Sequence, residues 1–114
     1  MQDIRERTFN FAVRIVRLCT WLDTQPRISR RLSDQLLRSA TSVGANCEEA
    51  KAGQSRADFI SKYNIALKEA RETHYWLRLL VTTDLVPSTR LADLLDEANQ
   101  IVAILTTIVA RSRK

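Results

Sequence analysis

What this chain lacks constrains it most: only two glycines and two prolines interrupt its 114 residues. Tight turns draw on those two residues for backbone conformations that others adopt at a cost. A sandwich or barrel of many short strands is therefore excluded, as is a Gly-rich phosphate loop. Pro26, Gly53 and Pro87 fall near one, two and three quarters of the way along. They predict four segments, each a helix ~30–40 Å long at ~1.5 Å per residue. Gly44 interrupts no pattern. A glycine inside a helix costs ~1 kcal/mol against alanine, so it is expected to mark a close backbone approach.

Apolar periodicity agrees with the punctuation. In the last segment Leu91, Leu94, Leu95, Ala98, Ile101, Val102, Leu105, Ile108 and Val109 recur at steps of 3 and 1, the stripe a bundle helix buries. Ser88 is the expected cap, with acids early and Arg111, Arg113 and Lys114 late, as the helix dipole favours. The third segment repeats Phe59, Tyr63, Ala66, Ala70, His74, Leu77 and Val81 behind a Ser55 cap, and the second repeats Leu32, Leu36, Ala40, Val43, Cys47 and Ala50. The first carries two stripes: Ile4, Phe11, Ile15, Leu18 and Leu22, and beside it Phe9, Ala12, Val13, Val16 and Cys19. A second stripe is more apolar surface than a monomer leaves in water, so it points to a partner subunit. Short connections force antiparallel neighbours. The expected fold is all-α, an antiparallel up-down-up-down four-helix bundle forming one domain over residues 1–114.

Charge and cysteine usage narrow the function classes. Lys+Arg is 18 against 13 Asp+Glu, a net +5 with 27% charged residues, typical of a globular chain. No apolar run approaches the ~18 residues of a membrane span, and the charged opening lacks the pattern of a secretory signal, so a cytoplasmic location is expected. Cys19 and Cys47 would lie ~20 Å apart along an antiparallel hairpin, too far for a disulfide. They read as buried, reduced thiols.

Catalytic chemistry finds few candidates. A di-iron bundle needs Glu-x-x-His on two helices; Glu72-Thr73-His74 has the wrong spacing and His74 is the only histidine. No nucleophile elbow or Walker loop occurs. Glu69 and Glu72 sit three residues apart on one face, but Lys68 and Arg71 beside them favour an ion-paired surface over a metal site. No enzyme activity, cofactor or metal is expected.

Two patterns remain. Gln35, Ser39, Ser42, Asn46 and Glu49 recur at steps of 4, 3, 4 and 3, a polar stripe beside the apolar one on the second segment. It is either an ordinary wet face or a seam partly buried against a helix or subunit. In the latter case Asn46 and Glu49 would be at least half buried, with Arg38 or another cation answering Glu49. The second pattern is arginine. Arg7, Arg14, Arg17 and Trp21 share one face of the first segment. Guanidinium forks suit phosphates and an aromatic can stack on a base. A solvated arginine face is the alternative. In an up-down-up-down bundle, Arg5, Arg7, Lys51, Arg56, Arg111, Arg113 and Lys114 gather at one end, a further candidate for phosphate contact.

The run from Gln35 to Ala50, QLLRSATSVGANCEEA, resembles the Q-L-x-R-S-A-x-S-I-x-A-N-x-x-E-G signature of a four-helix-bundle family encoded in intervening sequences of bacterial 23S ribosomal RNA genes. Ser55–Ile60, Ile65–Thr73 and Tyr75–Leu77 match as well. Ala50 replaces the usual Gly, so the second helix is expected to run on to Gly53. The resemblance implies a bacterial protein of unassigned function that assembles as a homopentamer. It implies a structural or interface role for Gln35, Arg38, Ser39, Ser42, Asn46, Glu49 and Glu72. It extends to the accessory variability protein of diversity-generating retroelements, a basic pentamer that binds nucleic acid and a reverse transcriptase. The combined expectation is a non-enzymatic homo-oligomer contacting RNA or DNA without sequence readout through Arg7, Arg14, Arg17, Arg111, Arg113 and Lys114. The alternative is a protein-interaction scaffold whose charge serves solubility, with another protein as partner and no membrane contact.

Overall fold

A computed structural model describes residues 3–52 and 55–113. Four helices follow one another: α1 (Ile4–Leu22), α2 (Arg27–Lys51), α3 (Arg56–Thr82) and α4 (Ser88–Ser112). Among the described residues there is no strand. The breaks fall where the sparse turn residues predict. Pro26 and Pro87 each stand immediately before a helix, where a missing N–H costs nothing. The predicted stop at Gly53 lies outside the described residues; Ala52 forms the C-cap of α2.

Caps are settled by local hydrogen bonds. Ser55 accepts from the Asp58 N–H at 3.0 Å, as its position predicts. Asp3 does the same for α1, accepting from the Arg5 N–H at 2.9 Å. Ser88 does not cap α4. Pro87 takes the cap position with no side-chain hydrogen bond, and Ser88 is already helical. The fixed φ of proline starts this helix without a hydroxyl. At the other end of α3, Asp84 adopts φ 59°, and the Leu85 and Val86 N–H groups fold back onto the Leu80 carbonyl. This left-handed closure turns the chain into α4.

Contacts between α1 and α2 run in opposite directions along the two helices. Thr8 faces Gly44, and Cys19 faces Ser33. The same holds between α1 and α4, where Arg7 meets Glu97 and Trp21 meets Arg90. The bundle is a rod of 45 × 21 × 21 Å. Its sides are unequal: α1 and α4 pack far less extensively than the other three adjacent pairs.

Ile15, Leu36, Leu77 and Leu105, one from each helix, are fully buried at the centre. The first apolar stripe of α1 enters this core. The second divides: Cys19 is buried with the core, while Phe9 stays 63% and Val16 45% exposed. Gly44 is a close-approach position. A Cβ built there would lie 3.4 Å from Thr8 Oγ1 and 3.5 Å from the Thr8 carbonyl carbon and oxygen. That is room for one methyl group against fixed backbone.

Candidate interaction surfaces

Three surfaces stand out: the arginine-bearing exterior, the α2–α3 polar seam, and an apolar groove between α1 and α2.

The seam is anchored by Arg38. Its guanidinium donates to Glu69 at 3.2 Å and, in a second contact, to Glu72. Glu72 also accepts from Trp76 Nε1 at 2.9 Å, and the Trp76 ring meets Tyr75 edge-on. Beneath this cluster Thr73 Oγ1 bonds Ser39 Oγ at 2.9 Å, with both residues fully buried. The polar stripe is thus a seam over part of its length. Ser39 is core and Ser42 is half-buried. Asn46, also half-buried, donates to the Ser42 carbonyl at 2.8 Å and to Ser42 Oγ at 3.0 Å. Its two ends do not follow. Gln35 and Glu49 are exposed, and no ion pair forms on Glu49 among the described residues. The Arg38–Glu49 pairing is corrected: eleven residues along one helix place the two three turns apart, whereas Glu69 and Glu72 project from α3 directly opposite.

The predicted arginine face on α1 is split. Arg7 reaches across to α4, where Nε and Nη2 donate to Glu97 at 2.8 and 2.7 Å, and Nη2 also to Gln100 at 2.6 Å. Three of the five guanidinium N–H donors are engaged on α4, so Arg7 links helices and has less to offer a phosphate than Arg14 or Arg17. Trp21 is covered by the Arg90 guanidinium, 4.4 Å from its ring centroid, and presents no open face there for a base. Arg14 and Arg17 are exposed and make no ion pair among the described residues.

At the end where α1 starts and α4 finishes, part of the expected positive charge is engaged. Arg5 pairs with Asp3 at 2.9 Å and lies 4.0 Å from Glu48. Arg56 donates to the Ser112 carbonyl at 2.5 Å. Arg111 and Arg113 are exposed, and Arg111 borders a groove of about 790 Å³ between α1 and α4 floored by Ile4, Ile104 and Ile108. Lys114 lies outside the described residues.

The second groove was foreshadowed by the double stripe. Phe9, Ala12, Val13 and Val16 on α1 and Thr41, Gly44 and Ala45 on α2 line an open apolar groove of about 470 Å³. Arg5, Arg17 and Glu48 stand at its edges.

The groups that would carry chemistry are dispersed. Cys19 and Cys47 are buried free thiols. Burial pushes the Cys47 thiol up to about 11 and raises Cys19 as well. Burial, then the neighbouring Arg78 charge, lowers the His74 pKa. Among the described residues, no three of His, Cys, Asp and Glu come together as metal ligands, and no helix is long and apolar enough to cross a membrane.

Residues 2–107 match the family model of the 23S rRNA-intervening sequence protein. The chain belongs to that family. A crystal structure of a protein of unknown function from the S23 ribosomal protein family of Bacteroides thetaiotaomicron is similar to it throughout. The two are 42% identical with a TM-score of 0.87, over 94% of this chain and 98% of that one. No curated protein matches. Within the Gln35–Ala50 run, Arg38 and Ser39 bond across the seam to α3, while Asn46 bonds back to Ser42 within α2.

Proposed function

We propose that this family member is a non-enzymatic homo-oligomer that binds RNA or DNA through phosphate contacts without reading sequence. The observation that carries the proposal is the surplus of unengaged arginine. Of the 14 arginines, Arg5, Arg7 and Arg38 form ion pairs, Arg56 bonds a carbonyl and Arg90 covers Trp21; the other nine are exposed and make no ion pair among the described residues. Planar guanidinium forks match phosphate oxygens, and a dispersed set of them supports affinity without base discrimination.

Self-association is supported by the α1–α2 groove. Phe9 at 63% and Val16 at 45% exposure form a continuous strip with Ala12, Val13 and Ala45. Covering each Å² of such surface is worth roughly 25 cal/mol. A ring of five copies is the expected assembly. Light scattering coupled to gel filtration should then give about five times the 13.1 kDa chain mass, and Phe9→Asp with Val16→Asp should reduce it towards one.

Fluorescence anisotropy with labelled RNA and duplex DNA, from ~50 to ~200 mM salt, tests the binding. Affinity should fall steeply and alike for unrelated sequences, with a log–log slope near −0.9 per neutralised phosphate on duplex DNA. The apolar groove favours one other reading, a protein-interaction scaffold. An assembly that binds neither polymer at ~50 mM salt, where phosphate contacts are strongest, selects it.

A further inference from the structure

The two ends of the rod differ in how their positive charge is used. At the end where α1 starts, Arg5 is held by Asp3, Arg7 by Glu97, and Arg56 by the Ser112 carbonyl, while Lys51, Arg111 and Arg113 stay exposed. The opposite end holds the four-residue connection between α1 and α2 and the first turns of α2. There Arg27, Arg30 and Arg31 are all exposed. Their spacing of three and four residues sets them on one face of the helix. Asp23 and Asp34 are the carboxylates nearest in sequence, and neither comes within ion-pairing distance of them. Arg17 is exposed on the last turns of α1, and the Trp21 ring holds the Arg90 guanidinium at this end too.

This arrangement opposes the local electrostatics. The first turn of α2 contains no acidic residue, and its N-cap Pro26 makes no side-chain hydrogen bond. The backbone N–H groups there carry the positive end of the helix dipole, which favours anions and disfavours cations. Arg27 lies one turn from both Arg30 and Arg31, which adds mutual repulsion. A polyanion laid across the turn relieves both.

We propose that this end, centred on Arg27, Arg30 and Arg31, is the principal phosphate-contacting surface for nucleic acid, ahead of the end bearing Arg111 and Arg113. The inference rests on the nucleic-acid reading above. It differs in where the strand lies: across the α1–α2 turn, with Arg17 and Arg90 flanking.

The test compares two variants of the full chain, Arg27→Gln/Arg30→Gln/Arg31→Gln and Arg111→Gln/Arg113→Gln, by anisotropy on duplex DNA and single-stranded RNA over a salt series. The first should flatten the log–log slope by about 2–3 on duplex DNA, at ~0.9 for each phosphate left unneutralised, and the second by less. Its melting temperature should stay level or rise, since removing cations from that turn relieves repulsion. Should the triple variant not fold, Arg30→Gln alone is expected to give about one third of that change. Wild-type binding that survives the α2 substitutions with affinity and slope unchanged overturns the inference and leaves the functional reading standing. Wild-type protein that binds neither polymer at ~50 mM salt overturns both.

Discussion

Arg7 and Glu97 lie 90 residues apart in sequence and form the best-defined polar link across the least-packed side of the bundle. Truncating Glu97 to Ala tests what that link contributes. The pair has two parallel N–H···O bonds of 2.8 and 2.7 Å, with side chains 24% and 20% exposed. Exposed pairs contribute ~0.2–1 kcal/mol, and breaking fully buried ones costs ~3–5 kcal/mol. A bidentate, partly buried pair falls between, so Glu97→Ala should cost about 1.5–2.5 kcal/mol. At ~4 °C per kcal/mol for a chain of this size, the melting temperature should drop by roughly 6–10 °C. The assay is a double-mutant cycle of wild type, Arg7→Ala, Glu97→Ala and the double variant, unfolded in urea at one protein concentration because self-association shifts apparent stability. A coupling energy of about 1–1.5 kcal/mol is expected between the limits for exposed and buried pairs; one below ~0.5 kcal/mol refutes the structural role. Nucleic-acid binding supplies the second arm. Arg7→Ala should leave the salt slope intact, and a loss of ~0.9 would return Arg7 to the phosphate surface.

Three further outcomes are expected. Gly44→Ala should raise stability by up to ~1 kcal/mol through helix propensity, because its methyl group reaches Thr8 at 3.4–3.5 Å without overlap; Gly44→Val should lower the melting temperature by pressing on the Thr8 backbone, and an Ala variant clearly less stable than wild type contradicts that geometry. His74 has its folded pKa lowered by burial and by Arg78, so its contribution is intact above the unfolded value of ~6.5 and is lost as pH falls through the folded value. Thermal melts at pH 7.5 and 5.5 should show acid destabilisation that shrinks in His74→Gln, and a stability gain on acidification that depends on His74 would reverse the sign. Asp84 occupies a left-handed conformation at φ 59°, so Asp84→Gly should melt at or above the wild-type temperature while Asp84→Val should lose ~1–2 kcal/mol; equal melting of the two variants would show that this turn carries no backbone strain.

The number and limits of the helices were legible because they follow from local chemistry: scarce turn residues, a 3.6-residue apolar period, and the Ser55 cap. Gly44 was legible for the same reason, since its cost within a helix called for a close neighbour. The partners of charged residues were not. Periodicity assigns Arg7 and Arg38 to a face but carries no information about which carboxylate on another helix stands opposite. Glu97 answers the first, and Glu69 and Glu72 answer the second. Cys19 fell on the wrong side of the division between stripes because it lies near the end of α1, where the short turn brings Ser33 over it. The apolar groove was half legible. Its α1 wall is written in the Phe9–Val16 spacing, but its α2 wall of Thr41, Gly44 and Ala45 is made of residues too small to register as a stripe.

The unequal sides of the rod bear on how the chain reaches its native state. Each of the three extensive helix pairs joins segments adjacent in the chain, so most of the burial needs only the closure of short loops. Contacts of that kind give a low contact order and fast collapse. The α1–α4 side alone joins opposite ends of the sequence, and its loop-closure entropy is the largest in the molecule. It is closed by few groups, among them the Arg7–Glu97 ion pair and the Arg90–Trp21 stack. Loop closure therefore favours docking α1 against α4 late in folding and releasing it early in unfolding.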